Sequence, residues 1–291
     1  MKIHSFKESF VKYSLQTSSS ICVLIVLFVF IFLFKEAFPF INQPGLSSLL
    51  GERWIPVSFQ KQQFGLYPLI SGSILVTVLA TLIAIPFGVC SAVYIAELAG
   101  PREREILKPF IEMLAAIPSV VLGFFGLVVL APLVKDAFHL NTGLTALTGA
   151  LVLALMSIPT IISISEDAIR NVPRSYREAS MALGAGEIQT VWKVTVPAAA
   201  SGIVSAVMLG MGRVIGETMA VLMVTGNAAV VTFSPFESVR TMTATVAAEM
   251  GEVTYGGVHY QSLFWVGIVL LTTTFFLNMI AQRALRWKRN A

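Results

Sequence analysis

The sequence predicts an all-α polytopic membrane protein with six transmembrane helices, and three observations carry that expectation. First, 56% of the 291 residues are hydrophobic and 12% are charged, where a soluble domain carries about 25% charged residues. A globule made from this chain would lack the polar surface to cover itself. Second, the mean hydropathy is +0.80, and the apolar residues fall in long uncharged runs. Third, those runs are continuous rather than alternating, which selects helices over barrel strands, the two structures that satisfy every backbone group in hydrocarbon. The same composition argues against a soluble enzyme, a disordered chain and a nucleic-acid binder.

The first run, 13–34, follows Lys2, Lys7 and Lys12 and is closed by Lys35 and Glu36. It has no clear small-residue cleavage site, so it reads as a retained span rather than a signal peptide. A turn-rich loop follows at 40–68, with Pro44, Gly45, Gly51 and Pro56, and with Trp54 as an interfacial anchor. The later runs are 69–95, 113–134, 144–164, 198–227 and 263–280, set against the roughly 20 residues a crossing helix needs. The second and fifth are long enough to tilt. Pro86, Pro118, Pro132 and Pro159 interrupt spans and suit helices that bend around a path. Cys22 and Cys90 each sit in an apolar stretch without a neighbouring His or second Cys, which points to buried packing residues. Segment 238–250 reads as a short helix of mostly small residues, re-entrant or lying on the surface. The two long outer loops, 40–68 and 227–261, are either connections or places where a partner is received.

Orientation follows from the basic residues. Segments 2–12, 102–108, 170–193 and 283–289 hold fourteen of the 20 Lys and Arg; the opposite side holds five, at Lys35, Arg53, Lys61, Lys135 and Arg240. Both termini are therefore expected in the cytoplasm. This bias also accounts for the pI near 9.1 without nucleic acid.

The segment 166–197 is the long polar insertion on that side. Pro173 opens a helix, 176–183 carries charged and apolar residues on different faces, Gly184, Ala185 and Gly186 permit a sharp turn, and a second helix runs from Glu187 to near Pro197. The shape fits a docking element, or an amphipathic helix packed under the bundle. Its string EASMALGAGEIQTVWKVTVP resembles the loop signature of ABC-importer permeases: E-A-A, three residues, Gly, nine residues, I-x-L-P. Glu178, Ala179, Ser180, Gly184, Val194, Val196 and Pro197 carry it, with the spacing kept in full, Ser for the second Ala, and Val for Ile and Leu. The resemblance implies a type I ABC-importer permease fold in which Arg177, Glu178, Ala179, Gly184 and Pro197 couple the chain to a cytoplasmic ATPase subunit. Small residues allow close approach, and Arg177 and Glu178 orient it by charge. No G-x-x-x-x-G-K-[ST] phosphate loop occurs in the sequence. The expectation is that this chain is a transport subunit that binds no cofactor, while ATP and Mg are used by the partner.

Within the fifth run, GMGRVIGETMAVLMVTGN places Arg213 and Glu217 four apart. On a continuous helix they share a face and are expected to be able to pair. An Arg at a helix centre costs about 2.5 to 3.5 kcal/mol, so it needs a reason. One reason is a self-neutralised ion pair holding the bundle together. The other is an anion site, since the guanidinium fork matches phosphate oxygens and stays charged when dehydrated. Glu217 then accepts a hydrogen bond from a protonated phosphate and repels sulfate, which has no proton to offer. Gly210, Gly212 and Gly216 clear space for another helix or for a ligand, and Thr218 completes the expected substrate path.

The segments FGLYPLISGSILVT, EMLAAIPSVVLGFFGLVVLAP and GRVIGETMAVLMVTGN are similar to PstC-type permeases of bacterial phosphate importers, over nearly the whole chain after about Phe64. That resemblance implies phosphate uptake across the bacterial inner membrane, with a PstA-type permease as the other half of a heterodimer, two cytoplasmic ATPase subunits and an extracytoplasmic phosphate-binding protein. The chain then divides into 1–68 (tail, first span, outer loop), 69–282 (the transmembrane domain with coupling loop 166–197) and 283–291 (a basic tail). An intramembrane enzyme would need a nucleophile with a base; His4, His139 and His259 all lie outside the runs. An ion-driven transporter and a phosphate-signalling subunit are the remaining rivals.

Overall fold

The computed structural model describes residues 2–58 and 60–289, so residues 290–291 of the expected basic tail lie outside it. In chain order the helices are α1 (Lys2–Ala37), α2 (Tyr67–Val93), α3 (Pro101–Ala115), α4 (Ser119–Phe125), α5 (Ala131–Ala137), α6 (Ala146–Arg170), α7 (Arg174–Ala182), α8 (Glu187–Thr190), α9 (Val196–Ala198), α10 (Ala200–Gly216), α11 (Met219–Val224), α12 (Met242–Glu249) and α13 (Val258–Arg289). Wider π turns continue α2 through Tyr94–Leu98, join α4 to α5 through Gly126–Leu130, and join α8 to α9 through Val191–Thr195. A two-stranded antiparallel pair, β1 (Trp54–Ile55) and β2 (Gln63–Phe64), lies between α1 and α2.

The fold is all-α and multi-spanning. Five helical stretches among the described residues are long and apolar enough to cross a membrane, and the number is six if the bent pair Glu187–Ala198 plus Ala200–Gly216, turned by 69°, counts as one span. The fourth span runs on to Arg170 rather than ending at 164, and two other spans differ from the sequence expectation as well. The third begins at Ser119 rather than 113, because Pro118 stands as N-cap in extended conformation and residues 113–115 finish α3. The fifth is not one helix over 198–227: it bends at Ala199 and is broken again between Gly216 and Met219. Cys22 and Cys90 are exposed rather than buried, each pointing off the side of its apolar span.

The centre of the bundle is α2, α6 and α10. A membrane interior gives apolar side chains little reason to leave lipid for one another, so close backbone approach has to do the packing. Ile161 of α6 shows how: a Cβ added to Gly88 of α2 would lie 2.7 Å from its Cγ2, and one added to Gly210 of α10 would lie 2.8 Å from its Cγ1. Both neighbouring helices therefore close onto one buried side chain through glycine. By contrast α1 leans on α13, and its side chains from Val11 to Phe34 are almost all exposed, as expected of a helix apolar on every side with lipid as its solvent.

The two ends of the bundle differ. At one end Phe40, Leu49, Trp54, Phe64 and Met242 form a small core under the loop and α12. Glu249 gathers the polar groups there: Trp54 donates from Nε1 at 3.1 Å, Arg240 pairs at 2.7 Å and His259 lies at 2.8 Å. Four of the eight residues of α12 are buried, so 238–250 supplies a helix packed into the bundle rather than one lying on its surface. At the other end sit α3, α7 and α8. Glu166 of α6, 2% exposed, meets Arg104 and Lys108 of α3 and Arg170 of its own helix. That hydrogen bond from Lys108 is the main reason its ammonium titrates above the usual lysine value.

Candidate functional site

The first candidate element is α7 with its turn. Pro173 presets the start, and Gly184 ends the helix at φ +88. The Gly184 amide donates to the Met181 carbonyl and the Ala185 amide to the Ser180 carbonyl, the paired bonds of a Schellman cap, which needs a left-handed residue at that position. The chain then restarts at Glu187, with Ser180 Oγ and Thr190 Oγ1 2.9 Å apart across the turn. Glu178, Ala179, Gly184 and Pro197 are exposed. An open groove of about 710 Å³ runs along Ala179, Ser180, Leu183, Gly184 and Lys193. Arg177 does not join them. It turns inward to an ion pair with Glu97 at the end of α2's continuation and donates to the Ile169 carbonyl at 3.3 Å.

The second candidate element is the break in the fifth span. α10 ends at Gly216, Glu217 is extended at φ −70 and ψ 134, and Thr218 is the N-cap of α11. Arg213 and Glu217 therefore do not share a helical face, and among the described residues they form no ion pair. Arg213 instead reaches Thr160 of α6, with Nη1 3.5 Å from Oγ1. Glu217 Oε1 accepts from the Ala220 amide at 3.2 Å, and the Glu217 carbonyl accepts from Thr243 of α12 at 2.8 Å. Thr218 Oγ1 donates to the Gly216 carbonyl at 3.3 Å.

The three glycines of this segment divide by role. Gly210 lets α10 close on Ile161, whereas Cβ atoms at Gly212 and Gly216 would meet nothing within 4 Å. Arg213, Glu217 and Thr218 are half-buried beside that open face. Among the described residues the arrangement is a cation held by one neutral hydroxyl, next to unwound backbone and beside the open space at Gly212 and Gly216. It presents donors for a dehydrated anion and a carboxylate beside them. Thr160, Thr243 and Glu97 take part in these two elements and carry no motif in the sequence. The break itself had a signal: Gly216 as a helix end followed by Thr218 as an N-cap. Among the described residues no group of three or more His, Cys, Asp or Glu is placed to hold a metal ion.

The family described as binding-protein-dependent transport system inner membrane component matches residues 84–289. The chain belongs to this family. The permease is 41% identical over 253 residues to the probable ABC transporter permease protein YqgH of Bacillus subtilis, covering 84% of this chain and 82% of the relative. It is 34% identical over 285 residues to the phosphate transport system permease protein PstC of Mesorhizobium japonicum, covering 91% and 86%. In fold it is similar to a chain of a crystallised bacterial alginate ABC transporter, with a TM-score of 0.67 at 14% identity over 94% and 93% of the two chains. It is thus a multi-pass permease subunit of an ABC-type importer that works by alternating access, and the permease does not itself hydrolyse ATP.

Proposed function

We propose that this permease translocates inorganic phosphate into the bacterial cytoplasm. Arg213, Glu217 and Thr218 line the path, and both termini, α3 and α7 lie on the cytoplasmic side. The observation that carries the substrate is Arg213: a half-buried guanidinium with a threonine hydroxyl for company and open space at Gly212 and Gly216. A charge placed at membrane depth and left without a counter-ion is costly, and an oxyanion that passes by supplies the missing partner bidentately. Relatives named phosphate transport system permease protein PstC, such as that of Mesorhizobium japonicum, favour the same cargo. In this reading a PstA-type permease covers the open face of α10, an extracytoplasmic phosphate-binding protein delivers the anion at the α12 end, and two ATPase subunits, which use ATP and Mg, seat on Glu178, Ala179, Gly184 and Pro197.

The test is radiolabelled phosphate uptake by the reconstituted four-component complex, with ATP hydrolysis recorded in parallel. Arg213→Gln is expected to lower uptake by about ten- to a hundredfold, the worth of a charged hydrogen bond, while hydrolysis continues. Uptake equal to the parent's would remove Arg213 from the path.

A further inference from the structure

We propose that Arg177 is the joint through which α7 pulls on the rest of the bundle, a positioning residue for energy transfer rather than a contact to the ATPase. This rests on the ATP-driven reading above. Arg177 stands beside Glu178 in the loop signature, yet its side chain is 23% exposed while Glu178 and Ala179 lie open on the surface. Its guanidinium meets two different elements at once. One is Glu97, 8% exposed, 80 residues earlier, at the end of the π turn that continues α2. The other is the Ile169 carbonyl in the last turn of α6, where the helix dipole favours a cation. A planar fork with several donors can bridge two acceptors in fixed directions, which a lysine cannot do.

The bridge matters because of how little else holds α7 at this point. Residues 171–173 connect it to α6 through a turn that ends in the extended Pro173. The remaining side-chain tie is Ser180 to Thr190, which leads the other way, into α8, the π turn, α9 and the 69° bend before α10. Among the described residues α7 therefore has two polar side-chain attachments. Ser180 ties it to the helix that carries Arg213, and Arg177 ties it to α2 and α6. With both in place a displacement of α7 reaches all three central helices together. Without Arg177 the route to α2 and α6 is left to apolar packing of Val172 and Val191 beside Ile95 and Ile169, and α7 is freer to roll against α6 at Pro173. Glu166 cannot substitute for this joint: its cations come from α3 and from its own helix.

The test uses the full reconstituted complex and three variants: Glu97→Gln, Arg177→Glu, and the swap of Glu97→Arg with Arg177→Glu. Three quantities are read: phosphate taken up per ATP hydrolysed, amide hydrogen exchange across 174–182, and the amount of ATPase subunit that co-purifies. Glu97 lies away from the groove face of α7, so Glu97→Gln is expected to keep the ATPase bound. Exchange across α7 should rise, and uptake per ATP should fall, each by at least about fivefold. The swap restores the charge link to α2, but a carboxylate at 177 cannot donate to the Ile169 carbonyl, so it is expected to recover both readouts only in part, above Arg177→Glu alone. Parent-like exchange and coupling in Glu97→Gln would overturn the proposal, as would a swap no better than Arg177→Glu alone, or ATPase loss as the primary defect. Should Arg177→Glu fail to fold, a swap that folds supports the joint; if neither folds, Glu97→Gln decides it by exchange and coupling alone. A parent complex that takes up no phosphate with ATP sinks the functional reading instead, while the exchange comparison still decides the joint.

Discussion

The Thr243 hydroxyl donates to the Glu217 main-chain carbonyl over 2.8 Å, so the break in the fifth span is held from α12 and not by a charge pair inside the span. That carbonyl is free because α10 stops at Gly216. Thr243→Val keeps the shape and removes the donor, leaving an acceptor without its partner at a cost of about 1 to 3 kcal/mol. The expected outcome is a lower unfolding temperature of the purified permease and slower uptake, with Thr243→Ser close to the parent. A Thr243→Val protein that matches the parent in both would show that the break holds itself.

The span count, the polar insertion and its glycine turn were legible because each rests on local chemistry: apolar runs for the helices, Pro173 and Gly184 for the ends of α7. What was hidden is tertiary. Nothing local in the sequence says that Arg177 faces Glu97 or that Thr160 faces Arg213, since both contacts join elements far apart in the chain. The expected Arg213 and Glu217 pair failed because the four-residue spacing was read as helix throughout. Gly216 serves as a helix end, and Glu217 uses its carboxylate to cap Ala220 instead.

That cap makes Glu217→Gln informative. The amide oxygen of Gln can still accept from Ala220, so the fold at the break is expected to survive. What is lost is the negative charge, which under the proposed phosphate reading turns away a fully deprotonated anion. Phosphate uptake should persist and sulfate should begin to compete, by about tenfold relative to the parent in a competition assay. Unchanged exclusion of sulfate would take Glu217 out of selectivity.

Gly184 offers a second local test. Its φ of +88 disfavours any residue with a Cβ, although a Cβ there would touch nothing. Gly184→Ala is therefore expected to cost about 1 kcal/mol of local backbone strain with no clash. The cap should loosen, the groove beside Ala179 and Leu183 should change shape, and fewer ATPase subunits should co-purify. Parent-like co-purification would separate the turn from docking.

The tie between Lys108 and Glu166 has a pH signature. Hydrogen bonding to Glu166, against an opposing effect of burial, raises the Lys108 ammonium above its ordinary 10.5. A raised folded-state value contributes stability in full below 10.5 and loses it as pH climbs through the folded value. The difference in unfolding temperature between the parent and Lys108→Gln is therefore expected to stay flat from about pH 6 to 9 and to narrow only in more alkaline buffer. A gap that shrinks as the buffer passes pH 8 or so would mean the ammonium is not held up.

Ile161 sits between two glycines from different helices, with no room for a methyl group on either side. Packing that close on one side chain favours α2, α6 and α10 moving together over one of them sliding along another. The flexing that transport demands is then displaced to where the chain has already given up its regular ladder, at Ala199 and at Glu217. One of those joints lies between the polar insertion and α10; the other lies just past the end of α10, near Arg213, which we propose lines the phosphate path.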